Sequence, residues 1–271
     1  MERRCLSRVA VIRAEGSADL LRRKDETAEL VRWVADERRR FVAVIGVSGT
    51  GKSSLVKAGL VPALSKWPSA IVRLIDASGD PFRALAIRLD HHLTPSRRPA
   101  FRADPAKALA ERGWIDELLA SKPASACLLI VIDRFEELQT AVPENLRAEF
   151  VSILKELIEH GRVRIAVSLR ADFLGALSRE ETLARLLSGN SFVLHPPGAP
   201  GLRTILREPA RLVGVTVEDR LIDELVEAAR LEPGALPLLA FALERLFETR
   251  GARVSGSPCR RSRGQRPSAP F

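Results

Sequence analysis

The stretch Phe41–Leu55, FVAVIGVSGTGKSSL, runs a short apolar segment into G-x-x-x-x-G-K-S and then into a helical pattern. Strand, glycine-rich loop and helix in that order spell a phosphate-binding P-loop. Gly46, Gly49 and Gly51 lack a Cβ and can take positive φ, so the backbone from Gly46 through Val47, Ser48, Gly49, Thr50 and Gly51 can curl its N–H groups round a phosphate. Lys52 then places a point charge on the β/γ oxygens, and Ser53, followed by Ser54, offers a hydroxyl to Mg²⁺. The helix that opens there aims its positive dipole end at the anion. The plainer alternative is a glycine turn joining strand to helix. The implied ligand is a nucleoside triphosphate with Mg²⁺, and these residues fit ATP or GTP.

The chain has 271 residues, enough for one large α/β domain or for a 150 to 200-residue domain with a smaller companion. Apolar residues at 46% and charged residues at 28% allow a sizeable core. No apolar run approaches the roughly 18 residues that span a membrane. The basic N-terminus is a poor signal peptide, because Arg8, Arg13 and Glu15 interrupt its apolar residues. Cys5, Cys127 and Cys259 lie far apart, which suggests neither a disulfide framework nor a zinc site and leads us to expect a cytoplasmic protein.

The net charge of +9 raises the question of nucleic acid, but five of those charges, Arg253, Arg260, Arg261, Arg263 and Arg266, sit in a tail without acids. The body is only mildly basic. There are no tyrosines, and the aromatics do not alternate with basic residues as a stacking surface requires. Neither nucleic acid nor a membrane is expected as a partner.

Residues 1–24 have no clear period, and Asp25 to Asp36 reads as an amphipathic helix. Glu37 to Arg40 reads as a solvated connector into the P-loop strand. A helix follows over 53–64, a strand over 70–76, a helix over 81–93, a proline-rich surface loop over 94–105 and a helix over 106–120. The apolar strand 126–133, a helix over 144–160, a strand over 163–169, a helix over 171–187 and a short strand over 192–194 complete the alternation. Such alternation predicts an α/β fold with a parallel sheet covered on both faces. Beyond a boundary near residue 197, three helical segments over 202–212, 218–231 and 237–250 predict a small helical subdomain. The expected division is 25–197 for the P-loop α/β domain, 198–250 for the helical subdomain and 251–271 for a disordered basic tail.

A P-loop site also needs a carboxylate at the end of a neighbouring buried strand. Leu128–Asp133, LLIVID, supplies Asp133, where a metal or cation partner offsets the cost of burial; a helix-capping role is the alternative. Glu136 and Glu137 follow within a turn and can polarise an attacking water. Arg170 closes the strand VRIAVSLR at the edge where α/β ligands bind and can reach a γ-phosphate, the alternative being a surface salt bridge. His91, His92, His160 and His195 have no metal-ligand spacing, and Ser48 and Ser168 have no Ser-His-Asp context.

The blocks GVSGTGKSSLVKAGLVPAL, LLIVIDRFEELQT, SLRADFLGAL and PGALPLLAFALERLFETR resemble the novel STAND NTPases, P-loop proteins often found upstream of WD-repeat regions. The resemblance covers about residues 20–250. It implies a three-layer P-loop fold in which Lys52 and Ser53 bind phosphate and Mg²⁺ and Asp133 serves the metal. It further implies that the acidic pair supplies the catalytic carboxylate, with Glu137 favoured over Glu136, and that Arg170 senses the γ-phosphate. Pro237 matches the family's G-x-P turn beside the adenine. One departure is Arg22, where the family carries Gly. The family also continues into a winged-helix and repeat or effector region, so a truncated product is expected here, with protein partners or self-association lying in the missing part. The function implied is a switch run by ATP, Mg²⁺ and slow hydrolysis to ADP. Two alternatives are a nucleotide-binding module without turnover and, through the arginines of Thr94 to Arg102 as a lid, a P-loop kinase or nucleic-acid motor.

Overall fold

The computed structural model describes residues 23–67, 70–77, 79–111, 113–212, 217–231 and 239. Five strands, β1 (Phe41–Gly46), β2 (Ala70–Asp76), β3 (Cys127–Asp133), β4 (Val163–Arg170) and β5 (Ser191–Val193), pair in parallel in the order β2-β3-β4-β1-β5. Their near-continuous apolar runs suit a sheet covered on both faces. Alternate side chains divide between two cores. Val42, Val44, Leu129, Val131 and Ala166 pack with α1 (Lys24–Ala35) and the helix that follows the P-loop. Phe41, Ala43, Ile130, Ile132, Ile165 and Val167 fill the other core with α2 (Pro81–Leu89) and α3 (Glu144–Glu159).

The helix after the P-loop comes in three consecutive pieces: Lys52–Ser54, a π-helical turn over Leu55–Leu60, and Val61–Ser65. Pro62 has no N–H to give, and its ring would crowd the carbonyl four residues back, so a widened turn just before it relieves the conflict. Gly59 lies in that turn and lets α1 come close, since a Cβ there would stand 2.8 Å from Thr27 Oγ1.

The proline-rich stretch expected as a loop contains the helix Arg98–Ala103, and another, Pro105–Ala110, starts at the next proline. Pro99 and Pro105 both occupy first-turn positions, where a missing N–H costs nothing. The helix expected over 106–120 is broken at Gly113, φ 94°, and resumes as Trp114–Leu119. The one expected over 171–187 is split into Leu174–Leu177 and Glu181–Leu187. In a straight helix Leu183 would lie roughly 120° round from Leu177; the break lets both enter one core. Arg39 and Arg40, expected in a solvated connector, donate to the carbonyls of Gly189 at 2.7 Å and Ile158 at 3.4 Å.

After the sheet, α4 (Ala199–Leu212) and α5 (Asp219–Leu231) bury Leu202, Leu206, Ile222 and Val226 with Leu239 in a separate cluster. Ion pairs Arg203–Asp223 at 2.7 Å and Arg207–Asp219 at 2.5 Å join the two helices. The third helix expected over 237–250 lies outside the described residues except for Leu239, as do Pro237, Arg22 and the tail. Among the described residues no helix is long and apolar enough to cross a membrane.

Gly46 ends β1 where a Cβ would meet the Leu194 carbonyl oxygen at 2.8 Å and Thr50 Oγ1 at 2.9 Å. Backbone on one side cannot yield, so Gly46→Ala is expected to lower the unfolding free energy by about 1–3 kcal/mol in urea titrations.

Candidate nucleotide site

The P-loop joins the carboxyl end of β1 to its helix, with Gly49 at φ 74° and Gly51 at φ 87° in the left-handed region. Gly46 is needed for close approach instead. Thr50, almost fully buried, donates from Oγ1 to the Val47 carbonyl at 3.0 Å and closes the loop, while Val47 and Ser48 are exposed. Lys52 is 8% exposed and its Nζ donates to the carbonyls of Gly46 at 2.9 Å and Val47 at 2.8 Å. Burial lowers its pKa from the ordinary lysine value, opposed first by the negative charge of Glu136. A nearly buried ammonium held by loop carbonyls over a glycine loop is placed where phosphate oxygens could replace those carbonyls.

Asp133, at the end of β3, has no exposed surface. Its Oδ1 accepts from Ser53 Oγ at 2.9 Å and from Ser168 Oγ of β4, while Lys57 Nζ stands 2.6 Å from Oδ2. Burial pushes the carboxyl pKa up, but the bonds from Lys57, Ser168 and Ser53 outweigh it and hold Asp133 ionised, below the usual carboxylate range. A serine hydroxyl against an ionised carboxylate is a hard-oxygen pair of the kind that suits Mg²⁺ alongside substrate phosphates. Ser53 and Asp133 therefore fit the metal. The strand carrying Asp133 was expected to neighbour the P-loop strand; instead β4 lies between them and reaches both.

Beyond Asp133 the chain turns through Arg134 at φ 54°, a left-handed conformation uncommon for a residue with a side chain. Arg134 N–H donates to Ser168 Oγ at 2.9 Å, and its guanidinium bridges Asp76 and Glu137, each at 2.5 Å. This turn sends Phe135 into the core and separates the two acids. Glu137 pairs with Arg134. Glu136 Oε2 instead accepts the Arg170 N–H at 3.2 Å, on the Lys52 side of the site. Glu136 thus bonds to the end of β4 and Glu137 to Arg134, whereas the family resemblance favours Glu137 as the catalytic carboxylate.

Arg170 lies in register with Gly46 at the sheet edge. Its guanidinium is paired with Asp172, at 3.1 Å and 2.6 Å, and stands 5.3 Å from the centre of the Phe173 ring. Bonds to Asp172, ahead of burial, raise its pKa. The arginines considered as a lid are engaged elsewhere: Arg97 with Glu111 and Glu117, Arg98 with the Leu93 carbonyl, and Arg102 with Asp90. Sequence reasoning missed Ser168, Lys57 and Arg134. A hydroxyl near the end of an otherwise apolar strand marks Ser168; Lys57 follows Ser53 by one helical turn; nothing in the sequence marks the left-handed turn at Arg134.

This sheet order, with a glycine loop ending β1 and a buried carboxylate ending β3, defines a P-loop NTPase domain. The profile described as Novel STAND NTPase 1 matches residues 15–258, and the chain belongs to that family. No curated protein is a significant sequence match. Among solved structures, the ADP form of ORC2 from Aeropyrum pernix is similar with a TM-score of 0.62 and 20% identity, over 86% of this chain and 65% of that one. ORC1 from Aeropyrum pernix in complex with DNA gives 0.60 and 20%, over 84% and 61%. Domain III of the replication initiation protein DnaA from Thermotoga maritima gives 0.57 and 16%, over 86% and 84%. At such identities the likeness is one of fold. This chain spans about half of some longer relatives, 53% of AMPPCP-bound DnaA from Aquifex aeolicus among them.

Ser168 is buried, and its hydroxyl serves both Asp133 and the Arg134 N–H. Ser168→Ala leaves that N–H unsatisfied, and is expected to cost about 1–3 kcal/mol by chemical denaturation.

Proposed function

We propose that the chain is an ATP-binding signalling module in which slow, Mg²⁺-dependent hydrolysis changes the angle between the sheet domain, residues 25–197, and a helical subdomain, residues 198–250. The observation that carries this reading is the meeting of Lys52, the Ser53–Asp133 pair and Glu136 at one edge of the sheet. Lys52 trades the Gly46 and Val47 carbonyls for β/γ oxygens, and the loop amides take the remaining phosphate lone pairs. Mg²⁺, when bound, neutralises charge on the phosphates, and Ser53 and Asp133 are the residues that would hold it. Glu136 orients the attacking water, while Glu137 keeps Arg134 in its turn. Arg170 leaves Asp172 to meet the γ-phosphate. Pro237 borders the base by family likeness. ADP is the product, and further protein partners or self-association provide the output.

A second reading, nucleotide binding without turnover, is favoured by one observation: Arg170 is held through two of its three guanidinium nitrogens by Asp172. Arg97 and Arg102 are satisfied by acids of this chain, which speaks against a lid of the kinase or motor kind.

Hydrolysis of radiolabelled ATP by the wild type, Lys52→Ala, Glu136→Gln and Glu137→Gln, with calorimetry of nucleotide binding, separates the readings. Lys52→Ala is expected to abolish binding. Glu136→Gln should bind normally and turn over about 10²–10⁴-fold more slowly, with Glu137→Gln much less affected. Equal rates in all four proteins sink the hydrolytic reading, and binding without phosphate release selects the second.

A further inference from the structure

The contact that the proposed chemistry does not use is that between Lys57 and Asp133. Lys57 lies one helical turn beyond Ser53, on the same face of the P-loop helix and inside its π-helical turn. Its Nζ is 2.6 Å from Asp133 Oδ2, while Ser53 and Ser168 share Oδ1. The two partners differ sharply in setting: the Asp133 side chain is 0% exposed and that of Lys57 is 45% exposed. A buried carboxylate left without a cation carries a large desolvation cost, whereas a half-exposed lysine on a four-carbon stem can swing into water without burying anything.

We propose that Lys57 is the resident counter-ion of Asp133, and that a divalent metal entering the site must displace it, so that Lys57 sets the metal concentration at which the site loads. The inference rests on the reading of Ser53 and Asp133 as the metal pair. A divalent ion served by both would lie within a few ångströms of the ammonium, and the two positive charges would repel. Lys57 therefore holds the Asp133 carboxylate in place without metal, and competes with weakly held divalent ions. Metal accompanied by a triphosphate brings further oxygen ligands and shifts that competition.

The test uses no nucleotide. Thermal unfolding in EDTA and across a Mg²⁺ titration, with Mn²⁺ binding followed by electron paramagnetic resonance, is measured for the wild type, Lys57→Met and Lys57→Met/Asp133→Asn. In EDTA, Lys57→Met should melt about 5 °C or more below the wild type. Mg²⁺ should restore that loss, and Mn²⁺ should bind the variant about tenfold or more tightly than the wild type. The double variant should recover the melting temperature and ignore Mg²⁺. Should Lys57→Met fail to fold in EDTA, refolding yields with and without Mg²⁺ replace melting, and a yield raised by Mg²⁺ supports the proposal. Unchanged Mn²⁺ affinity together with a Mg²⁺-insensitive melting temperature or refolding yield overturns it. Failure of the wild type to bind ATP would instead refute the proposed function, since these measurements contain none.

Discussion

The structure depends on satisfying one fully buried carboxylate, that of Asp133. An unpaired charge in the position of Asp133 would cost several kcal/mol, so the fold has to bring donors to it. They come from different parts of the chain: Ser53 and Lys57 from the P-loop helix, and Ser168 from β4. Satisfying one side chain thus ties the P-loop helix to β3 and β4, alongside the packing of Leu55, Val56 and Leu60 in the core beneath it. The demand that stabilises the fold and the demand that shapes the nucleotide site are the same demand.

The insertion of β4 between β1 and β3 makes this economical. Strand β4 aligns Arg170 with Gly46 on one side and Val167 with Ile132 on the other. Its last residues therefore border the phosphate loop and the acidic turn together. Ser168 Oγ receives the Arg134 N–H, the Ser168 carbonyl receives the Phe135 N–H, and the Arg170 N–H reaches Glu136. Three bonds to one strand end hold a left-handed residue in place, and the placement of the two acids follows from it. Glu136 and Glu137 are neighbours in sequence with different chemistry available to them because the turn faces one toward β4 and the other toward Arg134.

Much of the fold was legible because parallel strands announce themselves as apolar runs, and the P-loop because glycine, lysine and serine there serve one purpose. The helical interruptions were not legible. Pro99 and Pro105 read as breakers in a one-dimensional pattern, yet both are first-turn residues, and only the packing of Phe101 and Leu109 reveals that. Site residues fell into the same two groups. Lys52, Ser53 and Asp133 are identified by type and spacing and meet in space. Where Glu136 and Glu137 lie depends on a φ angle at Arg134, and where the Arg170 guanidinium lies depends on an ion pair with Asp172 two residues away, neither of which spacing encodes. Pro237 and Arg22 lie outside the described residues.

Helix α1 touches both the P-loop helix and the chain that leads into α4. At its carboxyl end, Arg164 of β4 donates to the Val34 carbonyl at 2.5 Å. At its amino end, the guanidinium of Arg23, 7% exposed, donates from both terminal nitrogens to the His195 carbonyl at 3.1 Å, at the start of the connection into α4. Between these ends, the close approach of Gly59 to Thr27 presses the π-helical turn against α1. Arg23 pays for its burial with a lowered pKa and has the Glu26 carboxylate only at 3.7 Å, so its two bonds to one carbonyl are the principal compensation for desolvation. Loss of that carbonyl would leave a buried charge underpaired, so the contact ties the start of α1 firmly to the chain leading into α4.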